Sequence, residues 1–258
     1  MQRERFHIST IDPQAHILAA KHGFGLEIAE YCTAWNMDAY FEETDRLVRG
    51  KLEGIPRRVL HGPFNELFPC AIDPRARELA RERYRQALTL AKRYGASKVV
   101  LHGGYNPWIY HPVWYTEQSI LFWKEFLGEI PEEITICLEN VMEEKPGMLV
   151  NILEGVGDPR LRMCLDVGHV NAYSKILALE WLEDCAPYIG HFHIHNNSGE
   201  ADTHRGLTEG TLPMARVLRE AERLCPEATF TLEVGEAEQS VLWLLETIFT
   251  EEYIWKQN

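Results

Sequence analysis

The sequence predicts an α/β protein, a (β/α)8 TIM barrel folded as a single domain over residues 1–258. Three observations support this prediction. The chain has 258 residues, close to the roughly 250 that one such barrel needs. Eight short apolar or alternating segments recur along it, each followed by a segment with helical periodicity. No Pro-rich or Ser-rich linker interrupts the series, and eight units joined by right-handed parallel crossovers close naturally into a barrel.

The strand candidates are short runs rich in apolar and β-branched residues, bounded by turn residues. A doubly wound open sheet is the main alternative, but it would normally carry a Gly-rich phosphate loop after the first strand, and this sequence has none there. The predicted strands cover residues 6–9, 25–31, 58–61, 98–102, 135–140, 162–167, 190–195 and 229–234.

The helix candidates alternate with these strands, and some have recognisable ends. Asp12-Pro13 and Asp73-Pro74 each place an N-cap acid before a proline at the first helical position. Gly95 is placed to end the helix that follows Asp73. The predicted helices cover residues 14–22, 38–50, 75–94, 114–127, 145–155, 175–186, 213–224 and 238–250.

The charge balance bears on the partners of the protein. Lys and Arg number 26 against 39 Asp and Glu, which gives a formal net charge of −13. A field of that sign repels polyphosphate at long range, so nucleic acid is a disfavoured partner. Bound cations would neutralise acidic ligands, so nucleic acid is not excluded. We expect a small-molecule substrate, and the sequence carries no signal for a particular oligomeric state.

The six cysteines are scattered, without a CxxC pair, and we expect buried reduced thiols. The N-terminal residues lack the apolar segment of a signal peptide, and no apolar run approaches the roughly 20 residues that span a bilayer. A cytoplasmic protein without a membrane partner is therefore expected.

Potential metal ligands stand at the C-terminal ends of six consecutive predicted strands, where a parallel barrel builds its active site. Any one of them alone would be an ordinary hydrogen-bonded or solvated side chain. Together, these groups would repel one another or lie desolvated unless cations organised them. The mixture of imidazole and carboxylate suits zinc, manganese, cobalt or iron better than calcium. The residues are His61, His102, Glu139, Asp166 with His169, His193 within the run 191–195, and Glu233.

A further cluster, Asp202-Thr-His204-Arg205-Gly206, lies in the loop after the seventh predicted strand. Taken alone, it is typical of a solvated turn, because Asp, Thr and Gly are common in turns. Its acid and imidazole add two more potential ligands beside the same barrel mouth.

The ligand-bearing motifs, and the order in which they follow one another, resemble those of the xylose isomerase-like TIM barrel superfamily over nearly the whole chain. That superfamily contains sugar and sugar-phosphate isomerases and epimerases, and also endonuclease IV of AP endonuclease family 2. The motifs are His61-Gly-Pro, His102-Gly-Gly, Leu138-Glu-Asn, Asp166-Val-Gly-His, His193-Ile-His-Asn-Asn, Asp202-Thr-His and Leu232-Glu-Val.

The resemblance to the isomerases and epimerases implies one divalent ion held by Glu139, Asp166, His193 and Glu233. It also implies that Glu139 and Glu233 form an acid/base pair, one removing and the other returning a proton next to a carbonyl. The ion would polarise the substrate oxygens and stabilise an enediolate.

The resemblance to endonuclease IV implies up to three ions and phosphodiester cleavage. In that scheme Glu139 bridges two zinc sites. One of them is completed by His61 and His102, and the other by the remaining residues of the isomerase site. The third zinc is held by His169, Asp202 and His204. Shortly after the seventh-strand histidine, where those endonucleases usually have an acid, this chain has Asn196 and Asn197.

Four residues are candidates for substrate contact. Arg205 would neutralise a phosphate or carboxylate, although a surface ion pair is its alternative role. Tyr105 and Trp108 would wall the pocket and stack on a sugar ring, or would simply cap the barrel. Asn140 follows the ligand Glu139 directly.

Three functions remain open at this point. The first is an isomerase or epimerase of a sugar, sugar phosphate or related polyol. The second is a multinuclear phosphoesterase acting on abasic DNA or a smaller phosphodiester. The third is a non-catalytic barrel with a structural metal, which is the least economical, because a closed structural site usually needs only four ligands.

Overall fold

Residues 1–249 are described by a computed structural model of the chain, in which eight parallel strands close into a barrel. Each strand pairs with its neighbours in sequence, and the first also pairs with the last. This confirms the predicted (β/α)8 barrel. The strands are β1 (Phe6–Ser9), β2 (Gly25–Ile28), β3 (Arg58–His61), β4 (Lys98–His102), β5 (Thr135–Glu139), β6 (Leu161–Asp166), β7 (Ile189–Ile194) and β8 (Thr229–Leu232).

The helices occupy the segments between and after these strands. Every predicted helical segment contains a helix, although residue 250, the last position of the final prediction, lies outside the described residues. The helices are α1 (Ala15–His22), α2 (Ala34–Met37), α3 (Phe41–Lys51), α4 (Pro74–Tyr94), α5 (Pro112–Leu127), α6 (Gly147–Val156), α7 (Val167–Tyr173), α8 (Ala178–Cys185), α9 (Met214–Leu224) and α10 (Glu238–Thr247).

Two helix starts show how local hydrogen bonds set the boundaries. Asp73 accepts a hydrogen bond from the Arg75 amide at 2.8 Å, which confirms it as the N-cap of α4. The N-cap prediction for Asp12 was wrong, because α1 begins two residues later, after Gln14. Asp12 instead accepts bonds from the amides of Gln14, at 2.7 Å, and Ala237, at 2.8 Å. It therefore joins the loop after β1 to the loop after β8.

Helix α7 was not predicted, and it shapes the barrel mouth. It begins directly after β6, because the Asp166 carboxylate accepts a hydrogen bond from the His169 amide at 2.6 Å and caps the first turn. The predicted strand over 162–167 consequently ends one residue early. The first turn of α7 places His169 beside the ends of the strands.

The apolar core lies mainly between the strands and the surrounding helices, as expected for this architecture. A small separate cluster contains Val59, Val100, Cys137 and Cys164 from four neighbouring strands. These residues alternate with those of the main core, so the strands alternate between an inner and an outer face. Toward the C-terminal ends, the same inner face carries the candidate ligands.

All six cysteines lie among the described residues and are free thiols, five of them buried. Within residues 1–249, none of the helices combines the length and apolarity needed to cross a membrane.

Candidate metal centre

The barrel brings ligand-bearing side chains from the ends of six strands, from the first turn of α7 and from the loop after β7 into one buried mouth. His61, His102, Glu139 and Asp166 are the last residues of β3 to β6, and Glu233 immediately follows β8. The nine predicted metal ligands form three neighbouring groups, and Glu139 is shared by two of them.

The first group joins Glu139 to His61 and His102. Their Nε2 atoms lie 3.3 Å from the same carboxylate oxygen, Glu139 Oε2. His61 Nδ1 donates to the Gly62 carbonyl at 2.9 Å, which leaves Nε2 without a proton when the ring is neutral. The ring of Phe64 stacks on His102 with centroids 4.2 Å apart and fixes its orientation.

The second group contains Glu139, Asp166, His193 and Glu233, whose ligand atoms all lie within 4.8 Å of one another. His193 Nδ1 is 3.1 Å from Glu139 Oε1, 3.1 Å from Glu233 Oε2 and 3.8 Å from Asp166 Oδ2. All four residues are buried. Three carboxylates around one imidazole nitrogen form a donor set suited to a divalent cation.

The third group centres on Asp202 Oδ2, which is 3.1 Å from His169 Nε2 and 3.0 Å from His204 Nε2. The Nδ1 atoms of both histidines donate to backbone carbonyls, at 2.9 Å to Asn140 and at 3.0 Å to Glu233. In the neutral ring, these bonds place the proton on Nδ1 and leave Nε2 unprotonated, so that Nε2 can bind a metal ion. His204 adopts a positive φ of 44° to make this arrangement.

Unpartnered oxygens indicate that the donor set suits cations. Among the described residues, Glu139 Oε2, Asp202 Oδ1 and Glu233 Oε2 are buried without a hydrogen-bond donor. Burying such atoms costs free energy unless something compensates them. Together with the aligned histidine nitrogens, they fit the divalent ions that the sequence resemblance implies.

The electrostatics of the third group follow from this crowding. Burial disfavours charge on His169, but the neighbouring Asp166 and the hydrogen bond to Asp202 raise its pKa to about 10. Burial likewise opposes charge on His204, and its bond to Asp202 raises the pKa to about 9. Burial would raise the pKa of Asp202, but bonds from the two histidines hold it below its ordinary value. Histidines of this kind release protons when a metal binds.

The predicted substrate contacts lie in different environments. Asn140 is buried, and its amide bonds the backbone of Asp166 in both directions, at 3.0 Å and 2.8 Å. Tyr105 is buried against Tyr115, with ring centroids 4.9 Å apart. Trp108 is 82% exposed in the loop after β4.

Arg205 lines a groove of about 770 Å³ beside the third group. The groove runs between the loops that follow β7 and β8 and the start of α1. His204 also lines it, so the groove adjoins the candidate metal ligands. Its size is in the range of small-molecule sites.

Sequence reasoning assigned no role to His195 or to Glu27. His195 Nε2 lies 3.1 Å from Asp166 Oδ1, and its ring stacks on His204 with centroids 4.0 Å apart. Glu27 contacts His193 from the opposite side of the ring. An acid within the apolar run 24–28 is the sequence signal that points to Glu27, because alternation turns it to the inner face of its strand.

Comparison with protein families gives one match that covers most of the chain. A family model described as xylose isomerase-like TIM barrel matches residues 18–250. The uncharacterized protein MJ1311 of Methanocaldococcus jannaschii is 29% identical over 189 residues, or 68% of this chain and 63% of that protein. A second protein of that organism, MJ1614, is 30% identical over 59% of this chain and 61% of its own length. The match therefore spans less than two thirds of either relative.

Solved structures with the same fold cover almost the entire chain. A D-tagatose 3-epimerase-like protein is 24% identical, with a TM-score of 0.73 and coverage of 96% of both chains. A protein from Thermus thermophilus, soaked with ZnCl2, is also 24% identical, with a TM-score of 0.77 and coverage of 96% of this chain and 99% of that one. The IolI protein with a bound zinc atom is 16% identical, with a TM-score of 0.72 and coverage of 95% and 96%.

Proposed function

Since this chain belongs to the xylose isomerase-like TIM barrel family, we propose that it is a divalent-metal-dependent isomerase or epimerase of a small sugar or sugar phosphate. The observation that carries this proposal is the second ligand group, in which Glu139 and Glu233 approach the same nitrogen of His193 at 3.1 Å. Two carboxylates from different strands at one buried point are what proton removal and return require. The D-tagatose 3-epimerase-like neighbour adds support.

Glu139, Asp166, His193 and Glu233 would hold the catalytic ion, which is zinc, manganese, cobalt or iron. When bound, it supplies a Lewis acid that polarises the substrate's oxygens. Up to three ions per chain are compatible with the three ligand groups.

The two glutamates would move the proton. Burial alone would raise the pKa of Glu139, but the charges on His193 and His102 hold it well below its ordinary value. Glu139 is thus a carboxylate at neutral pH and can accept a proton. Glu233 is the more exposed of the two, at 7% against 1%, so we assign it the first contact with the substrate carbon. Each glutamate serves as base in one direction and as acid in the other.

The groove lined by Arg205 and His204 would hold the rest of the substrate. In a chain with a net charge of −13, an arginine beside the metal ligands is a favourable partner for a phosphate or carboxylate group. Asn140 contributes indirectly, because its amide fixes the backbone of Asp166.

The test is hydrogen exchange with solvent. Metal-loaded protein would be incubated in D2O with a panel of ketoses, aldoses and their phosphates, and deuterium next to the carbonyl would be followed by NMR. We expect incorporation and isomerisation with at least one substrate. Glu139→Gln and Glu233→Gln should each lower the rate at least 100-fold, as expected for loss of a general acid or base.

Glu144→Gln is the matched control, because Glu144 makes only an exposed ion pair with Lys175 and bonds Ser174 through its carbonyl. It should retain the wild-type rate. Absence of exchange across the panel, with all metals loaded, would contradict the isomerase proposal.

Phosphoester hydrolysis is a second candidate, and a specific observation favours it. The first and third ligand groups, around His61 and Asp202, are not needed for a one-ion isomerase, yet their histidine nitrogens are aligned for metal binding. Several cations together can activate water and neutralise phosphoryl oxygens. Cleavage of a phosphodiester or of an abasic duplex that is lost in His169→Ala would favour this function. The acidic charge makes the smaller phosphodiester the better substrate.

A further inference from the structure

A buried carboxylate lies beneath the metal centre, inside the barrel. Glu27 of β2 is fully buried. Its two oxygens lie 3.1 and 3.2 Å from His193 Nε2, and one of them accepts a hydrogen bond from the Thr231 hydroxyl at 2.7 Å. His191 Nε2 is 3.2 Å from the same oxygen. The three partners come from β7 and β8, and β1 separates these two strands from β2 in the barrel.

A lone carboxylate would be costly in this position, because burial removes the water that stabilises its charge. The compensating positive charge lies at the N-terminal end of the barrel strands. The Lys98 ammonium, at the start of β4, is largely buried and donates to the Gly190 carbonyl at 2.7 Å and to Thr229 Oγ1 at 2.8 Å. Burial lowers the pKa of this lysine.

The hydrogen bonds between Lys98 and Glu27 all run in one direction. An ammonium only donates, so Thr229 accepts from Lys98, and the Thr229 hydroxyl in turn donates a hydrogen bond to His191 Nδ1, 2.6 Å away. His191 must then carry its proton on Nε2, where it donates to Thr231 Oγ1 at 2.9 Å. The Thr231 oxygen can only accept from His191, because its own hydroxyl donates to Glu27. Thr231 completes the chain by donating to Glu27.

Glu27 also sets the tautomer of His193. Glu27 accepts only if His193 Nε2 carries a proton, and in the neutral ring that a metal ligand requires, Nδ1 is then the unprotonated nitrogen that faces Glu139 and Glu233. His61, His169 and His204 instead donate from Nδ1 to backbone carbonyls, which leaves Nε2 of each ring facing a carboxylate. Hydrogen bonds to a carboxylate are stronger than those to a carbonyl, and they make the metal-binding nitrogen more basic.

We infer that Glu27, anchored through Thr231, His191 and Thr229 to Lys98, is a positioning residue that makes His193 bind the central metal ion through Nδ1. The inference rests on the metal dependence stated in the proposed function. It adds a carboxylate that contacts neither metal nor substrate and acts only through His193. It also accounts for polar residues in a barrel interior that is usually filled by branched apolar side chains.

The experiment compares wild-type protein with Glu27→Gln, which keeps the shape of the side chain and removes its charge. Zinc affinity would be measured by competition with a chelator. Losing the outer hydrogen-bond partner of a metal-bound histidine weakens metal binding roughly 10–100-fold. We therefore expect that loss of zinc affinity at the site of His193 and unchanged affinity at any other zinc site.

Glu143→Gln is the matched control, since Glu143 is a buried carboxyl near the mouth that bonds Tyr115 and the Val141 amide and no candidate ligand. It should bind zinc as wild type does. If Glu27→Gln also binds as wild type does, the inference is overturned while the proposed function stands.

A second measurement needs no variant and remains decisive if Glu27→Gln does not fold. Wild-type protein labelled with 15N-histidine and loaded with 113Cd would be examined for 113Cd–15N coupling. We expect coupling to Nδ1 of His193 and to Nε2 of the other histidine ligands. Coupling to Nε2 of His193 would overturn the inference with metal binding intact. Failure of wild type to bind any divalent ion would overturn both the proposed function and the inference.

Discussion

Each of four histidines at the barrel mouth has one ring nitrogen committed to a hydrogen bond. His61, His169 and His204 donate to backbone carbonyls, and His193 bonds Glu27. The other nitrogen of each ring faces a carboxylate. Because a neutral imidazole has one donor and one acceptor, these bonds decide which atom can bind a cation. The neighbours of the candidate ligands thus determine which ring nitrogens can face a cation.

Gly168 illustrates how tightly the side chains of the barrel mouth are packed. A Cβ atom at this position would lie 2.0 Å from His195 Cε1, too close for any side chain. We expect Gly168→Ala to lower the free energy of unfolding by about 1–3 kcal/mol, the usual cost of overpacking. Chemical denaturation would measure the effect.

Gly50 provides the control for that substitution. It lies in the exposed part of α3, and nothing lies within 4 Å of an added Cβ. Gly50→Ala should stabilise the protein by about 0.5–1 kcal/mol, because alanine has the higher helix propensity. Equal effects of the two substitutions would contradict the packing described for His195.

Helix α4 depends on its N-cap. Asp73 accepts a bond from the Arg75 amide at 2.8 Å, and proline occupies the first helical position. We expect Asp73→Ala to cost about 1 kcal/mol of stability, as loss of an N-cap usually does. Glu78→Ala, on the exposed face of the same helix, should change stability by less than about 0.5 kcal/mol. Urea denaturation of both variants checks this difference.

Strand β1 carries a histidine that makes stability depend on pH. Burial lowers the pKa of His7 to about 4, although its bond to the Phe230 carbonyl opposes the shift. Between pH 6.5 and 4 the unfolded chain binds more protons than the folded one at this residue. Stability therefore falls as the pH falls through that range, by up to about 3 kcal/mol from this group.

His7→Asn tests this dependence, because the asparagine amide can replace the Nδ1 donor but does not titrate in this range. Denaturation midpoints of both proteins would be measured from pH 7 to pH 4. The wild type should lose stability more steeply than the variant. Parallel pH profiles would show that His7 is not held neutral in the fold.

The strands were predictable from sequence because their apolar patterns are bounded by turn residues, and the ligand positions followed from the strand ends. Helix α7 was not predictable, because its start depends on the Asp166 side chain bonding the His169 amide. Nor could spacing reveal that His193 is bonded by Glu27, since the two residues are far apart in sequence and meet only when the barrel closes.

Closure of the barrel brings several carboxylates together at the C-terminal ends of the strands. Three carboxylates surround His193 Nδ1, and another group gathers around Asp202. Cations bound there stabilise the folded state but not the unfolded chain. We expect zinc to raise the melting temperature and a chelator to lower it, with a stabilisation of about 2.7 kcal/mol when free zinc is 100 times the Kd.

The matched pair for this prediction is Asp166→Asn and Asp38→Asn. Asp38 makes an exposed ion pair with Arg83 of α4. Calorimetry should show that zinc stabilises Asp38→Asn as much as wild type, and Asp166→Asn much less. A zinc response that is equal in both variants would place the stabilising ions outside the mouth.

We propose that the barrel mouth holds the ions required for catalysis. The decisive measurement is metal content per chain, determined by plasma mass spectrometry on protein purified without a metal-affinity tag and dialysed against dilute zinc. We expect one to three ions in wild type and fewer in Glu139→Ala, because Glu139 is shared by two ligand groups. Protein that retains no ion, or a Glu139→Ala variant that retains the full number, would contradict it.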